Sequence, residues 1–146
     1  RLRIGYPDRQ SEREIVRAVS LPTAETPINA ILNAADIIRL QEQVLQVRVD
    51  DALVDYMLAI VERTRSYESL ALGVSPRGAQ ALYRSSQALA MLEGRDYVIP
   101  DDIKRLVGPV FAHRVVINAR AVMTQRSTEA AERILAEILT LVDVPL

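Results

Sequence analysis

The sequence predicts an all-α domain, a small bundle of about six helices with at most very short extended segments. Three observations carry this. Most apolar residues recur at three- and four-residue spacing, the period of an amphipathic helix. Only five glycines interrupt the 146 residues. The helical runs are joined by short connections, and no self-similar unit of about 20 to 50 residues points to a solenoid.

Taken in order, Arg1-Leu2-Arg3-Ile4-Gly5-Tyr6-Pro7 alternates and then breaks, like a strand end or an extended linker entering a helix. The first helix runs from about Asp8 to Val19, with Asp8 or Ser11 as N-cap and Ser11-x-x-Glu14 in the pattern of a capping box. Pro22 and Pro27 make Leu21 to Asn29 a loop. The second helix, about Asn33 to Leu45, sets Ile37, Leu40 and Val44 on one face, and Val47-Arg48-Val49 is a short extended step. The third starts at the cap Asp50 and runs to about Arg65, with Leu53, Met57, Ile60 and Val61 as its stripe. Ser66 to Val74 reads as a loop.

The fourth helix has the clearest start, Ser75 as N-cap with Pro76 at the first helical position, and ends near Gly94 as a C′ glycine. Its face holds Leu82, Ser85, Leu89 and Leu92, and the small residues Ser85, Ser86 and Ala88 admit a close neighbour. The fifth, about Pro100 to Ala112, turns Ile103, Leu106, Val107, Val110 and Phe111 inward. After an irregular stretch, the sixth runs from about Ser127 to Val142 with Ile134, Leu135, Ile138 and Leu139 inward.

Composition narrows the chemistry. With 49% hydrophobic and 25% charged residues, the chain suits one globular domain. It has no Cys and one His, His113, which excludes thiol chemistry and a zinc site of three or four nitrogen or sulfur ligands. The longest apolar run, Tyr56 to Val61, is far short of the roughly 20 residues of a membrane-spanning helix. The chain opens at Arg1 without a Met or an apolar signal region, so a trimmed domain of cytoplasmic origin is expected. Its basic residues are all Arg except Lys104; Arg presents a planar fork to oxyanions, although interspersed Asp and Glu also suit plain solvated faces.

Motif by motif, most catalytic readings fail. A phosphate loop needs Lys after Gly, and the one Lys follows Ile103. Gly73-Val74-Ser75-Pro76-Arg77 approaches a nucleophile elbow, but Arg77 stands in place of the second Gly and Pro76 has no N–H for an oxyanion. His113 sits at a helix end, where capping or packing accounts for it. Asp50-Asp51 and Asp101-Asp102 each open a helix, where carboxylates cap orphan amides. Arg77 alone breaks a local rule: in a first turn the helix dipole disfavours a cation by about 0.3 to 1 kcal/mol. A bound anion there explains it, since a helix N-terminus with a guanidinium is a ready phosphate site. A surface ion pair to a carboxylate explains it too.

Four segments in register then resemble a known family: Arg3-Ile4-Gly5-Tyr6-Pro7 before an acidic helix, Gly73-Val74-Ser75-Pro76-Arg77, Glu93-Gly94-Arg95-Asp96-Tyr97-Val98-Ile99-Pro100-Asp101-Asp102-Ile103, and Ala112-His113-Arg114. Together they look like the C-terminal part of MoxR-type AAA+ ATPases. The resemblance implies that residues 1–7 are the hinge or linker from an α/β nucleotide-binding core that precedes Arg1, and that residues 8–146 are the helical lid. The phosphate-loop and Walker B motifs, and the arginine finger, then lie in that core.

The resemblance further implies that Arg77 is the sensor 2 arginine, the catalytic contact to the γ-phosphate, with Ser75 and Pro76 beside it and Tyr6 and Pro7 near the adenine. ATP and Mg²⁺ are implied as cofactors of the full-length parent, with neither held tightly by this chain and no metal site in it. The implied partners are its own core, neighbouring subunits of a ring, and proteins with von Willebrand factor A domains; the implied work is chaperone-like remodelling, including metalloenzyme maturation. The chain departs from the pattern at Ile99, where the family often has Thr, and over Arg120 to Arg126. The rival readings are a nucleic-acid-binding helical module and a protein-interaction scaffold. A net charge of −1 speaks against the first, which calls for an unopposed basic face.

Overall fold

The computed structural model describes residues 5–18, 29–118 and 127–145. Among the described residues six helices appear in chain order: α1 (Arg9–Ala18), α2 (Ala34–Val44), α3 (Asp51–Ser66), α4 (Pro76–Leu92), α5 (Pro100–Phe111) and α6 (Ser127–Thr140). Two short strands, β1 (Leu70–Leu72) and β2 (Val116–Ile117), complete them. The all-α expectation therefore holds, with an extended pair added where loop and irregular chain were expected.

Short-range chemistry sets most helix starts. Asp8 caps α1 by accepting from the Gln10 and Ser11 N–H groups, both at 2.9 Å. The Ser11/Glu14 box does not form: the Ser11 hydroxyl donates to Asp8 at 3.2 Å, and Glu14 accepts from the Gln10 side chain at 2.9 Å. Asn33 and Asp36 exchange bonds in a complete capping box that opens α2. Asp50 caps α3 through the Ala52 N–H at 2.9 Å. Ser75 caps α4, and Gly94, at φ +75°, follows its end as expected of a C′ glycine. Val19, Leu21 to 28, and 119–126 lie outside the described residues.

The core is built chiefly by α3 to α6. Leu53, Tyr56, Met57, Ile60 and Val61 of α3 meet Leu82 and Ala90 of α4, Ile103, Val107 and Phe111 of α5, and Ala131, Ile134, Leu135 and Ile138 of α6. The α4–α5 contact is the most extensive. The α3 stripe is as the spacing predicts.

Four expected faces need correction. On α4, the buried residues are Gly78, Leu82, Ser86, Gln87 and Ala90; Ser85 and Leu89 are only half-buried, and Leu92 is 79% exposed. Packing buries the smaller Ser86 and Ala90 and leaves the larger Leu89 and Leu92 toward the rim. On α5 and α6, Leu106, Val110 and Leu139 sit at the edge rather than within the core. On α2, Ile37 and Leu40 are exposed and Val44 half-buried, so its apolar face is uncovered; among the described residues the first buried one is Val47. Periodicity identifies an apolar stripe, not what covers it.

Two long-range ties hold the connections. Arg48 makes a parallel bridge with Tyr97, the Arg48 N–H donating to Asp96 O at 2.9 Å and the Val98 N–H to Arg48 O at 3.0 Å, which accounts for the extended step at 47–49. Leu70 pairs with Ile117 and Leu72 with Val116, antiparallel and with an irregular register between them.

The α5 cap is half made. Asp102 accepts from the Ile99 N–H at 3.0 Å, but Ile99 has no side-chain oxygen to return, and the Asp102 N–H rests on the Ile99 carbonyl at 3.1 Å. Ile99 already holds the extended N-cap conformation, φ −119° and ψ 160°. Ile99→Thr adds a side-chain cap and is expected to stabilise the chain by about 0.5 kcal/mol net of lost apolar contact. Thermal melting checks it; an unchanged or lower midpoint rejects it.

Candidate functional site

The N-terminus of α4 is where the sequence places its one anomalous cation, and the structure builds a cleft beside it. An open cleft of about 610 Å³ is lined by Arg65, Ala71, Leu72, Gly73, Val74, Ser75, Pro76 and Arg114. Its wall carries two guanidiniums and no carboxylate. Such a wall, next to the positive end of a helix dipole, favours an anion.

Each part is placed by the local fold. Ser75 accepts the Gly78 N–H at its hydroxyl, 3.4 Å, and at its carbonyl, 2.8 Å. Pro76 has no N–H, so the Arg77 N–H is the first-turn amide for which the described residues supply no acceptor. The Arg77 side chain is exposed and makes no hydrogen bond or ion pair among the described residues. The ion-pair explanation of its position thus finds no carboxylate there.

Arg65 donates from Nε to the Val74 carbonyl at 3.0 Å. Arg114 arrives from beyond the C-terminus of α5, donates to Val110 O at 3.1 Å and touches the His113 ring. Its stem lies over Gly78, where an added Cβ would come within 3.4 Å of the Arg114 Cδ and 2.5 Å of Val74 Cγ1. The absence of a side chain at residue 78 is what lets Arg114 and Val74 approach.

Of the expected site residues, Ser75 and Pro76 line the cleft, and Arg77 follows them on α4. Tyr6 is fully exposed ahead of α1, and neither it nor Pro7 is among the lining residues. Sequence reasoning missed Arg65 and Arg114 as cleft residues. Arg114 lay within a segment already singled out, Ala112-His113-Arg114, whereas nothing local marks Arg65 among 17 arginines. Asp102 does cap α5, as expected, but it is also buried and takes both Arg95 nitrogens, at 2.7 and 2.8 Å. His113 stands just past the end of α5, beside Arg114.

Residues 62–138 match the AAA lid domain family, and the chain belongs to it. It is 40% identical to the uncharacterized protein YeaC of Bacillus subtilis over 148 residues, covering 99% of this chain and 44% of that protein. It is 36% identical to the chaperone MoxR1 of Mycobacterium tuberculosis over 140 residues, 88% of this chain and 36% of that protein. A solved structure of a protein assigned as an ATPase from Cytophaga hutchinsonii superposes with a TM-score of 0.84 at 28% identity, over 98% of this chain and 45% of that one. The chain thus spans less than half the length of each. It is the lid region of a MoxR-type AAA+ ATPase. No helix among the described residues is long and apolar enough to cross a membrane.

Proposed function

We propose that this lid closes on ATP bound to the core of its parent ATPase, with Arg77 reaching the γ-phosphate as the sensor 2 residue. The observation that carries the reading is the exposed Arg77, uncommitted among the described residues, at the helix end that borders the arginine-lined cleft. Ser75 and Pro76 shape the approach, and Arg65 and Arg114 add positive potential along the polyphosphate. A polyphosphate fits this wall of cations and amide dipole. In this reading Mg²⁺ is held by the core.

Residues 1–7 serve as the hinge to that core, with Tyr6 and Pro7 against the adenine once the core is present. Closure passes from each lid to the neighbouring subunit of a ring, whose work is chaperone-like remodelling of client proteins in the cytoplasm, with von Willebrand factor A-domain proteins as partners. The chaperone name of the mycobacterial relative supports this reading.

In the full-length parent, Arg77→Ala is expected to cut ATP turnover at least about tenfold, since arginine contacts to a transferring phosphoryl group contribute up to about 10³ to 10⁵ in rate. The melting temperature stays level or rises slightly, because a first-turn cation opposes the helix dipole. Unchanged turnover together with a lowered melting temperature would identify Arg77 as a structural residue and reject the sensor role.

A further inference from the structure

Thr64 is the most deeply buried polar residue of α3, fully inaccessible, and its hydroxyl both donates and accepts a hydrogen bond. It donates to Val61 O at 2.6 Å within its own helix and accepts the Val74 N–H at 2.9 Å from the segment leading into α4. The adjoining Arg65 takes the other backbone group of the same residue, donating to Val74 O at 3.0 Å. Gly73 presses its backbone on Arg65 so closely that a Cβ there would lie 2.7 Å from the Arg65 Cα. Both hydrogen-bonding groups of one residue are therefore bound by the last turn of α3. That residue stands immediately before the N-cap of the helix that carries Arg77.

A Val at residue 64 would fill the same volume, so packing alone does not call for the hydroxyl. The Val74 N–H is buried with it, and without an acceptor that amide would leave its place to find water. We propose that Thr64 is a positioning residue for Arg77: through Val74 it fixes where α4 begins, and hence where the guanidinium stands relative to the nucleotide. The inference rests on the sensor reading of Arg77. Misplacing a contact by about 1 Å is enough to cost roughly 100-fold in catalysis, so the lever is adequate to the task.

The test uses the full-length parent, assayed for ATP turnover well below its melting temperature. Thr64→Val is expected to lower kcat/KM about tenfold and Thr64→Ser to keep it within about twofold, while Thr64→Val added to Arg77→Ala costs less than about twofold further, because residues that act through one another do not add. An equal loss from Thr64→Val in both backgrounds overturns the proposal and leaves the sensor reading standing. Loss from Thr64→Val with none from Arg77→Ala overturns both.

Amide hydrogen exchange gives a readout independent of activity. The Gly78 and Ala79 amides are expected to exchange at least about tenfold faster in Thr64→Val, with the amides of α5 unchanged. Unchanged exchange at α4 overturns the proposal. Should Thr64→Val fail to fold, Arg65→Ala releases the Val74 carbonyl at an exposed position, and the same two amides report: faster exchange supports the clamp, unchanged exchange overturns it.

Discussion

Replacing Asp102 by Ala is expected to lower the stability of the chain by about 3 kcal/mol and its melting temperature by about 6 to 12 °C. The Asp102 side chain is only 1% exposed, yet it meets two nitrogens of Arg95, at 2.7 and 2.8 Å, and the Ile99 N–H at 3.0 Å. Removing one partner of a buried pair strands the other, and here it also uncaps α5. Arg95 retains Glu93 at 2.8 Å, and Glu93 also pairs with Arg105, so the loss falls at the lower end of what such a deletion costs. Urea unfolding measures it. A loss below about 1 kcal/mol would show that the pair fixes geometry without adding stability.

The same carboxylate gives a pH dependence of known sign. Burial pushes the Asp102 carboxyl up, but the Arg95 guanidinium and the Ile99 N–H outweigh it and hold the group below its ordinary value of 3.8. A group depressed in the folded state stabilises fully above its unfolded value and ceases to as pH falls through the folded one. Stability should therefore fall with acidification below about pH 4, and more shallowly in Asp102→Asn, which keeps an acceptor for Ile99 but no charge.

Gly73→Ala should be comparably damaging, about 3 kcal/mol, at the upper end of overpacking costs. Its Cβ would stand 2.7 Å from both Arg65 Cα and N and 2.8 Å from Thr64 C, all of them backbone atoms of α3 that cannot swing aside. The end of α3 and the lead into α4 must then separate. Gly108→Ala is the control: nothing lies within 4 Å of its Cβ in α5, so that change is expected to be neutral or stabilising. Equal melting temperatures for the two variants would contradict the close approach at Gly73.

Features governed by neighbouring residues were legible in the sequence. Asp50 and Ser75-Pro76 announce their helices because a cap is a contact across two or three residues, and Gly94 announces an end because its backbone sign is a local property. What stayed hidden depends on residues far apart along the chain. The pairing of Leu70 with Ile117 joins two fragments too short to show alternation. The true face of α4 lies a fraction of a turn from the one read, because Ser85 beside Ser86 and Leu89 beside Ala90 leave a helix period ambiguous until its neighbours are in place. At the candidate site, Arg77 stood out by violating a dipole rule. Arg65 violates none, and its role appears only when Gly73 and Val74 fold back on α3.

The length and anchoring of α4 have a mechanical consequence. Its 17 residues make a rod of about 25 Å. One end begins at the Val74 clamp; the other passes through Glu93 into the Arg95–Asp102 pair that opens α5. Past Gly78 in its first turn the rod contains neither Gly nor Pro, so it has no built-in joint. A tilt of about 10° about the Arg77 end sweeps the Leu92 end through about 4 Å for a rod of that length. Leu92 is 79% exposed at that tip, so any rotation of the rod about its cleft end would be carried, enlarged, to an apolar side chain at the other end of α4.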